Sequence, residues 1–479
     1  MSDAWLGIDL GTQSARAIVL GDDGATLASA SAPLSSRRAE GRHEQDPGEW
    51  LRVVREIIRG AVRELPAGVR IRALAVDGTS GTVVPLDRRG RPTGVAAMYD
   101  DRRGAPYLDR VLDAGGEQWR RMGYRMQATW ALPKLLALRE ESPAQLWGHQ
   151  VDVVVDDLSG HPLATDLSNA LKTGADLDAV AWPVDVLDRL GLALGELPAV
   201  VESGSILGAV SDAVADDTGL PRGCAIVAGA TDGVAAQLGS GAIRVGDGAS
   251  VLGTTLVLKG VAARRALDPS GAVYAHRAPF GAGWFPGGAS SVGAGAVSAL
   301  LPGRDPATLT AAAARRSEIP VCYPLLGLGE RFPFVADRAP GFWPRDPSDM
   351  ADDELLRAIA FGVAFLERLA LERMAALGAP MARIATSGGG VRNAWWTSLR
   401  AAVSRRPFTV PAQTEGAAGM AVLAAAAVGD TPGDLDATTR RLIPRGRPVQ
   451  PLGLDDDRVE EAYGLFRRRI AELVQEEAA

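Results

Sequence analysis

Four residues between two apolar runs, Gly11-Thr12-Gln13-Ser14, have the composition of a loop that receives phosphate. Trp5 to Leu10 and Ala15 to Val19 on either side are rich in strand formers, so the segment reads as a tight hairpin. Gly11 lets the backbone come close to a ligand, and Thr12 and Ser14 add hydroxyl and amide donors for anionic oxygens. Asp9, at the end of the first strand, sets a carboxylate beside this turn. That placement makes sense when Mg²⁺ lies between the carboxylate and phosphoryl oxygens. The plainer alternative is an ordinary hairpin in which Asp9 is only a turn residue.

A second group surrounds Asp232. Ala225 to Ala228 reads as a buried strand, continues through Gly229-Ala230-Thr231, and passes at Asp232-Gly233 into the helix-like Val234 to Leu238. Asp232 thus stands at a helix N-terminus beyond the carboxyl end of a strand, where the dipole helps keep it ionised and able to accept a proton from a substrate hydroxyl. A simple N-cap needs no further role. Ile71 to Val76 reads as a buried parallel strand, and Asp77-Gly78-Thr79-Ser80-Gly81-Thr82 lies at its C-terminal end, where ligands of open α/β sheets gather. Thr79 and Ser80 are substrate-binding candidates there, against the alternative of a plain Ser/Thr turn. Val83 to Leu86 and Val95 to Tyr99 form a hairpin leading into Asp100-Asp101-Arg102-Arg103. Asp101 could hydrogen-bond sugar hydroxyls, although such runs are commonly surface ion pairs.

The second half repeats the opening logic. Ala249 to Leu258 contains strand, turn and strand around Gly253-Thr254, the sign of a duplicated domain. Gly287 to Gly295, which includes Gly293, precedes an alanine-rich helix, and its small residues permit either close approach of a nucleotide or tight helix packing. Ile384 to Thr386 is a short strand that runs into Ser387-Gly388-Gly389-Gly390 and Val391 to Trp396. Gly389 and Gly390, after a strand and before a helix, make room for phosphates or adenosine, and Asn393 with a tryptophan, Trp396, could contact the purine.

These residues need elements to hold them. Asp46-Pro47 starts a helix that runs to about Leu65, Trp130 to Glu140 is a helix carrying Lys134, Val151 to Val155 reads as a strand, and Asp166 caps a helix start. Gly239 to Gly248 looks like a hinge. Ala351 to Leu377 is a long amphipathic helix, Glu415 to Gly419 begins a helix of small residues, and the segment beyond about Gly429 is Arg/Pro-rich and then helical. With 479 residues and 47% hydrophobic content, two domains are expected. Residues 1–242 form the first and 243–479 the second. A net charge of -7 with both signs interspersed leaves no footprint for nucleic acid or an anionic membrane. Cys224 and Cys322 read as buried apolar residues of a reducing compartment, and the start of the chain shows no leader, so a soluble, cytoplasmic protein, monomer or homodimer, is expected. His43, His149, His161 and His276 show no zinc-site spacing and read as packing or surface residues. No Gly-x-x-x-x-Gly-Lys-Ser/Thr loop, protein-kinase glycine loop or Gly-x-Ser-x-Gly elbow occurs.

Taken in order, Asp9-Leu10-Gly11-Thr12, Asp232 after its glycine-bearing strand, Leu252-Gly253-Thr254-Thr255, and Gly388-Gly389-Gly390 with Asn393 resemble the FGGY carbohydrate kinases from Trp5 to about Gly429. The resemblance implies an α/β fold of two actin-like, RNase H-like domains flanking a nucleotide and sugar cleft, with ATP and Mg²⁺ as cofactors. It implies Asp232 as the catalytic base, Asp9 as the metal and phosphate carboxylate, and Thr12 and Thr254 as phosphate contacts. Thr79-Ser80-Gly81-Thr82 replaces the Gln-Met-His-Gly usual in xylulokinases, and Asp232-Gly233 their Asp-Asn. Gly78 to Thr82, Asp166 to Lys172, Tyr323 to Leu326 and Glu330 to Pro333 are similar to the D-ribulokinase branch, in which the serine matching Ser80 helps hold the sugar. D-Ribulose is therefore the expected substrate. An actin-like ATPase without a sugar substrate and a degenerate kinase serving as a binding protein are the competing readings.

Overall fold

The computed structural model describes residues 2–160 and 164–478, so His161 lies outside the described residues. Contacts group the chain into two units. One comprises Met1–Ile243, His276–Gly283 and Gln413–Pro444, and the other Arg244–Ala275, Trp284–Ala412 and Arg445–Ala479. The first division falls inside the glycine-rich run 239–248.

In the first unit a sheet is ordered Ile206–Ala209, Ala225–Thr231, Val69–Gly78, Ser2–Leu10, Ser14–Gly21 and Thr26–Pro33. The last three form the expected antiparallel meander, whereas Ser2–Leu10 pairs parallel with Val69–Gly78, and Val69–Gly78 parallel with Ala225–Thr231. In the second unit Trp284–Ala289, Leu256–Gly260, Asp247–Leu252, Arg383–Ser387, Phe408–Val410 and Arg447–Pro448 lie side by side. Starting from Trp284–Ala289, the successive pairings are antiparallel, antiparallel, parallel, parallel and antiparallel. The first sheet read from Thr26–Pro33 has the same succession, ending in the antiparallel edge strand Ile206–Ala209. The short hairpin repeat in the sequence therefore marks a duplicated sheet topology.

Helices complete each core. Pro47–Arg63, capped by the Asp46 carboxylate, turns Trp50, Val53, Val54, Ile57, Ile58 and Ala61 inward. Gly416–Val428 packs in the first unit, although its place in the sequence puts it with residues 243–479. A Cβ at Gly7 would lie 1.7 Å from the Ala417 carbonyl oxygen, and one at Gly419 would lie 2.0 Å from that of Ala235. Strand and helices therefore meet backbone to backbone, a contact that only these distant glycines permit. In the second unit the 25-residue helix Asp352–Ala376 carries the core. The final helix Asp456–Ala478 adds Val459, Tyr463 and Phe466 to it.

One expectation is corrected and another is extended. Val151 to Val155 belongs to the helix Gln150–Ser159, whose N-terminus is fixed by His149 and Asp152 in a reciprocal cap. The hairpin from Val83 to Tyr99 forms, through antiparallel bridges Leu86–Pro92 and Val83–Ala97, but its arms take their longer pairings elsewhere, Val84–Leu86 with Leu146–Gly148 and Ala96–Ala97 with the strand Arg42–Gln45.

Candidate active site

The parallel pairings bring three aspartates to neighbouring strand ends. Asp9 is the register partner of Asp77, Asp77 also faces Ala230, and Asp232 follows two residues later as the first residue of the helix Asp232–Gly239. Their environments differ. Asp232 is exposed and its carboxylate accepts the Gly233 amide at 2.6 Å. Asp9 is half-buried, and Asp77 is completely buried, its carboxyl in contact with that of Asp9 and, among the described residues, with no N–H or hydroxyl donating to either of its oxygens.

Burial is the main reason the Asp9 carboxyl lies above the usual carboxylate range. Its contact with the Asp77 carboxyl works against this, and repulsion from Asp232 adds to it. Burial, followed by repulsion from Asp9 and Asp232, holds Asp77 well above that range. The start of Gly416–Val428 closes over this pair: a Cβ at Gly416 would lie 2.9 Å from Asp77 Oδ2 and 3.4 Å from Asp9 Oδ2. Arg16, across the hairpin from Asp9, is engaged by Glu415 at 2.6 Å.

The phosphate-type turn lies next to Asp9. The Gly11 amide donates to the Ser14 carbonyl at 3.1 Å, and a Cβ on Gly11 would lie 3.8 Å from Asp9 Oδ1. Gln45 holds the turn from behind through the Thr12 carbonyl at 2.6 Å. Gln13 and Ser14 are exposed, and Thr12 is partly so. The strand ahead of Asp232 is anchored by Ser168, whose hydroxyl accepts the Thr231 amide at 2.8 Å and donates to Asp166 at 2.6 Å. Gly229 is obligatory in that strand, because a Cβ there would lie 1.8 Å from the Val76 carbonyl oxygen.

The candidate sugar residues separate. The Thr79 hydroxyl is buried against Gln150 and Thr82, at 2.8 and 2.6 Å, and holds the loop rather than facing a ligand. Burial would raise Asp101, but hydrogen bonds from Arg103 and the His43 amide keep it below its ordinary range. Those donors occupy both of its oxygens, so this buried carboxylate fixes Arg103 and has no free face for sugar hydroxyls. The Ser80 hydroxyl is the one of these left buried with no hydrogen-bond partner among the described residues, while Lys172 holds the Ser80 carbonyl at 3.1 Å.

In the second unit, Gly253 and the exposed Thr254 form a turn closed by the Gly253 amide on the Thr255 carbonyl at 3.0 Å. Gly293 backs that turn, since a Cβ on it would meet the Thr254 carbonyl oxygen at 2.6 Å. Packing thus accounts for Gly293, and likewise for Gly390 against Leu252, whereas Gly389 is open. Asn393 caps the helix Ala394–Ser404 through the Trp396 amide at 3.0 Å and donates to Thr310 at 2.9 Å. Trp396 is buried in the core with its indole on the Ala360 carbonyl, which corrects its expected purine contact. Sequence reasoning did not single out Asp77, Gln150 or Ser168. For Asp77 a signal existed, since an acidic residue at the end of an apolar strand is out of pattern.

Residues 4–239 match the model of the N-terminal domain of the FGGY family of carbohydrate kinases, and residues 248–428 that of its C-terminal domain. The chain belongs to the FGGY family of carbohydrate kinases. A xylulose kinase of Streptomyces coelicolor is 30% identical to this FGGY kinase over 434 residues, covering 86% of this chain and 85% of the relative. One from Streptomyces rubiginosus is 28% identical over 477 residues, covering 96% and 95%. The crystal structure of gluconate kinase from Lactobacillus acidophilus has a TM-score of 0.88 at 19% identity, covering 100% of this chain and 99% of that one. At that identity the likeness speaks for the fold, which is the actin-like one expected. FGGY sugar kinases use ATP, and no helix among the described residues is long and apolar enough to cross a membrane.

Proposed function

We propose that this sugar kinase transfers the γ-phosphoryl group of ATP to the primary hydroxyl of a ketopentose, converting D-ribulose to D-ribulose 5-phosphate in the cytoplasm. The observation that carries the reading is the division among the aspartates: Asp232 alone is exposed, beyond a strand's carboxyl end, while Asp9 and Asp77 beside it are sunk. An exposed carboxylate on a rigid helix start is suited to orient a hydroxyl and take its proton as the oxygen attacks phosphorus. Thr12 is the phosphate contact this reading assigns to the first unit, and Thr254 the one it assigns to the second. Mg²⁺ fits the donor set, since half-buried Asp9 faces a carboxyl that no N–H among the described residues offsets, and when bound it would neutralise charge on the phosphoryl oxygens. Asp9 would hold it. The assignment to domains 1–242 and 243–479 follows the same reading, with the sugar and the base on the first and ATP on the second.

D-Ribulose is favoured over D-xylulose by Ser80, whose buried hydroxyl has no hydrogen-bond partner among the described residues and so is free to meet a sugar hydroxyl. The two ketoses differ only in configuration at C3. The names of the relatives favour D-xylulose, and that second reading keeps the mechanism unchanged. The test is ATP turnover with Mg²⁺ alone and then with D-ribulose, D-xylulose, L-ribulose, ribitol or glycerol, followed by product identification. Strong stimulation by D-ribulose is expected, and stimulation by D-xylulose instead would overturn the role of Ser80. Asp232→Ala should lower turnover by about 10² to 10⁴-fold while ATP still binds, and an active variant would remove the base.

A further inference from the structure

Two stretches prominent in the sequence, Tyr323 to Leu326 and Glu330 to Pro333, have no task in the kinase reading, and they meet at one carboxylate. Glu330 is 2% exposed. Its Oε1 accepts the amides of Ser291 at 2.6 Å and Arg331 at 2.9 Å, and its Oε2 accepts the hydroxyls of Ser290 at 2.8 Å and Tyr323 at 2.9 Å. Burial first, and then the Glu330 carboxylate, push the Tyr323 phenol up, so it stays a donor. The Glu330 backbone is pinned as well, exchanging hydrogen bonds with Ala336 at 2.7 and 2.9 Å. A carboxylate has about four lone-pair sites, and here each is taken, so Glu330 has none left for a ligand. Its role lies in what it holds.

What it holds is the segment 290–295, which follows the strand Trp284–Ala289. The Ser290 hydroxyl that donates to Glu330 also accepts the Val292 amide at 2.9 Å, and Leu256 pairs with the Ser290 amide at 2.9 Å and the Val292 carbonyl at 2.7 Å. Beyond them the Ala294 and Gly295 amides donate to the carbonyls of Gly253 and Thr254, at 2.9 and 3.0 Å. The Gly253-Thr254 turn thus leans on 290–295, and the exposed Thr254 side chain has no burial of its own to fix it.

We propose that Glu330 is a positioning residue for the nucleotide phosphates: through Ser290 and Ser291 it fixes the segment 290–295, and that segment fixes Thr254. The proposal deepens the kinase reading and rests on it for the task of Thr254, though not for the hold on 290–295. The role needs an acceptor more than a charge. Glu330→Gln keeps a carbonyl oxygen for the two amides and turns its NH₂ to the two hydroxyls, each of which can accept, whereas Glu330→Ala strands all of these donors.

The experiment has two arms, both on the full chain and on variants that circular dichroism shows to be folded. In the nucleotide-free protein, Glu330→Ala should speed hydrogen-deuterium exchange at least tenfold in segments 290–296 and 253–256 while the helix Asp352–Ala376 exchanges as in the wild type. Acceleration spread evenly over the second unit, or none, would overturn the proposal. Calorimetric titration with Mg²⁺ and the non-hydrolysable ATP analogue AMP-PNP then compares Glu330→Ala, Glu330→Gln, Thr254→Ala and the double variant Glu330→Ala/Thr254→Ala. About tenfold weaker binding is expected in each alanine variant, binding within threefold of wild type in Glu330→Gln, and a double variant no weaker than the worse single one. Losses that multiply in the double variant would show that Glu330 does not act through Thr254, and the proposal would fall. Glu330→Ala binding like the wild type beside a weakened Thr254→Ala would also overturn it and leave the kinase reading standing. Thr254→Ala binding like the wild type would remove Thr254 from that reading and the proposal with it. Ser290→Ala, which cuts the link at 290–295 and leaves Glu330 its other donors, takes the place of Glu330→Ala should that variant not fold.

Discussion

Ser168→Ala should uncouple the stability of the first unit from the placement of its proposed base. The Ser168 hydroxyl joins two groups in a buried region: it accepts the Thr231 amide at 2.8 Å and donates to Asp166 Oδ1 at 2.6 Å, and Ser168 is 1% exposed. Truncation leaves the Thr231 N–H without an acceptor, a loss of about 1–3 kcal/mol for a buried donor. Asp166 keeps its bonds from the amides of Ser168 and Asn169, at 2.9 and 3.1 Å, so its short capped helix should survive. Thr231 immediately precedes Asp232, and freeing its amide lets the helix start drift. A misplacement of about 1 Å at a reacting centre costs on the order of 10²-fold in rate. The expected result is lower stability in urea denaturation, together with a fall in kcat of about 10- to 100-fold and an ATP KM near that of the wild type. Ser168→Cys should behave like the alanine variant, because a thiol of similar volume is a poor acceptor. Stability lost with kcat within twofold of wild type would refute the positioning argument. No change in either would refute the hydrogen bond itself.

Two further predictions concern charge. Burial first, and then the neighbouring Asp157 carboxylate, push the Asp156 carboxyl up to about 6, near the C-terminal end of the helix Gln150–Ser159, where a negative charge opposes the dipole. The native state therefore holds this proton more tightly than the unfolded chain, and stability should fall as pH rises from about 4 through 6. Asp156→Asn should raise Tm at pH 7.5 and give no gain at pH 4, and a gain of equal size at both would contradict the assignment. Arg400 is fully buried and donates to Glu367 at 2.7 Å and to Ser250 at 2.7 Å, tying together the helices Asp352–Ala376 and Ala394–Ser404 and the strand Asp247–Leu252. Arg400→Met should cost about 3–5 kcal/mol in urea denaturation by stranding Glu367, and adding Glu367→Leu should recover part of that loss.

The opening hairpin and the Asp232 helix start were legible because local chemistry determines them. Gly11 between strand formers, and Thr231-Asp232-Gly233 between a strand and a helix, each need nothing distant. The segment 151–155 misled because its helix is buried on nearly every side, so Val151, Val153, Val154 and Val155 show no helical stripe. The informative residue was Asp152, three positions after His149, a reciprocal cap hidden by an unusual capping residue. The helix Gly416–Val428 could not be placed from its own sequence, because the fact that places it is Gly7, more than four hundred residues earlier. Trp396 and Asp101 were misread for a shared reason. A tryptophan after glycines and an aspartate beside arginines look the same in sequence whether they face a ligand or the core.

The duplicated sheet explains why acid chemistry belongs to one half. The two central strands of each unit pair parallel, so residues near their carboxyl ends correspond by register: Asp9 with Asp77 in the first unit and Val251 with Ser387 in the second. Where the first unit holds two carboxyls side by side, the second holds a valine and a serine. The hairpin turns that follow remain alike, Gly11-Thr12 in one and Gly253-Thr254 in the other. Both units thus keep the glycine and hydroxyl suited to phosphate, while only the first keeps the acids suited to a cation and an attacking hydroxyl. Two ladder positions, Val251 and Ser387, thus leave the second unit's strand ends uncharged without altering the sheet. The asymmetry resides in side chains at equivalent positions, which is where duplication followed by specialisation leaves the fold intact and changes the chemistry.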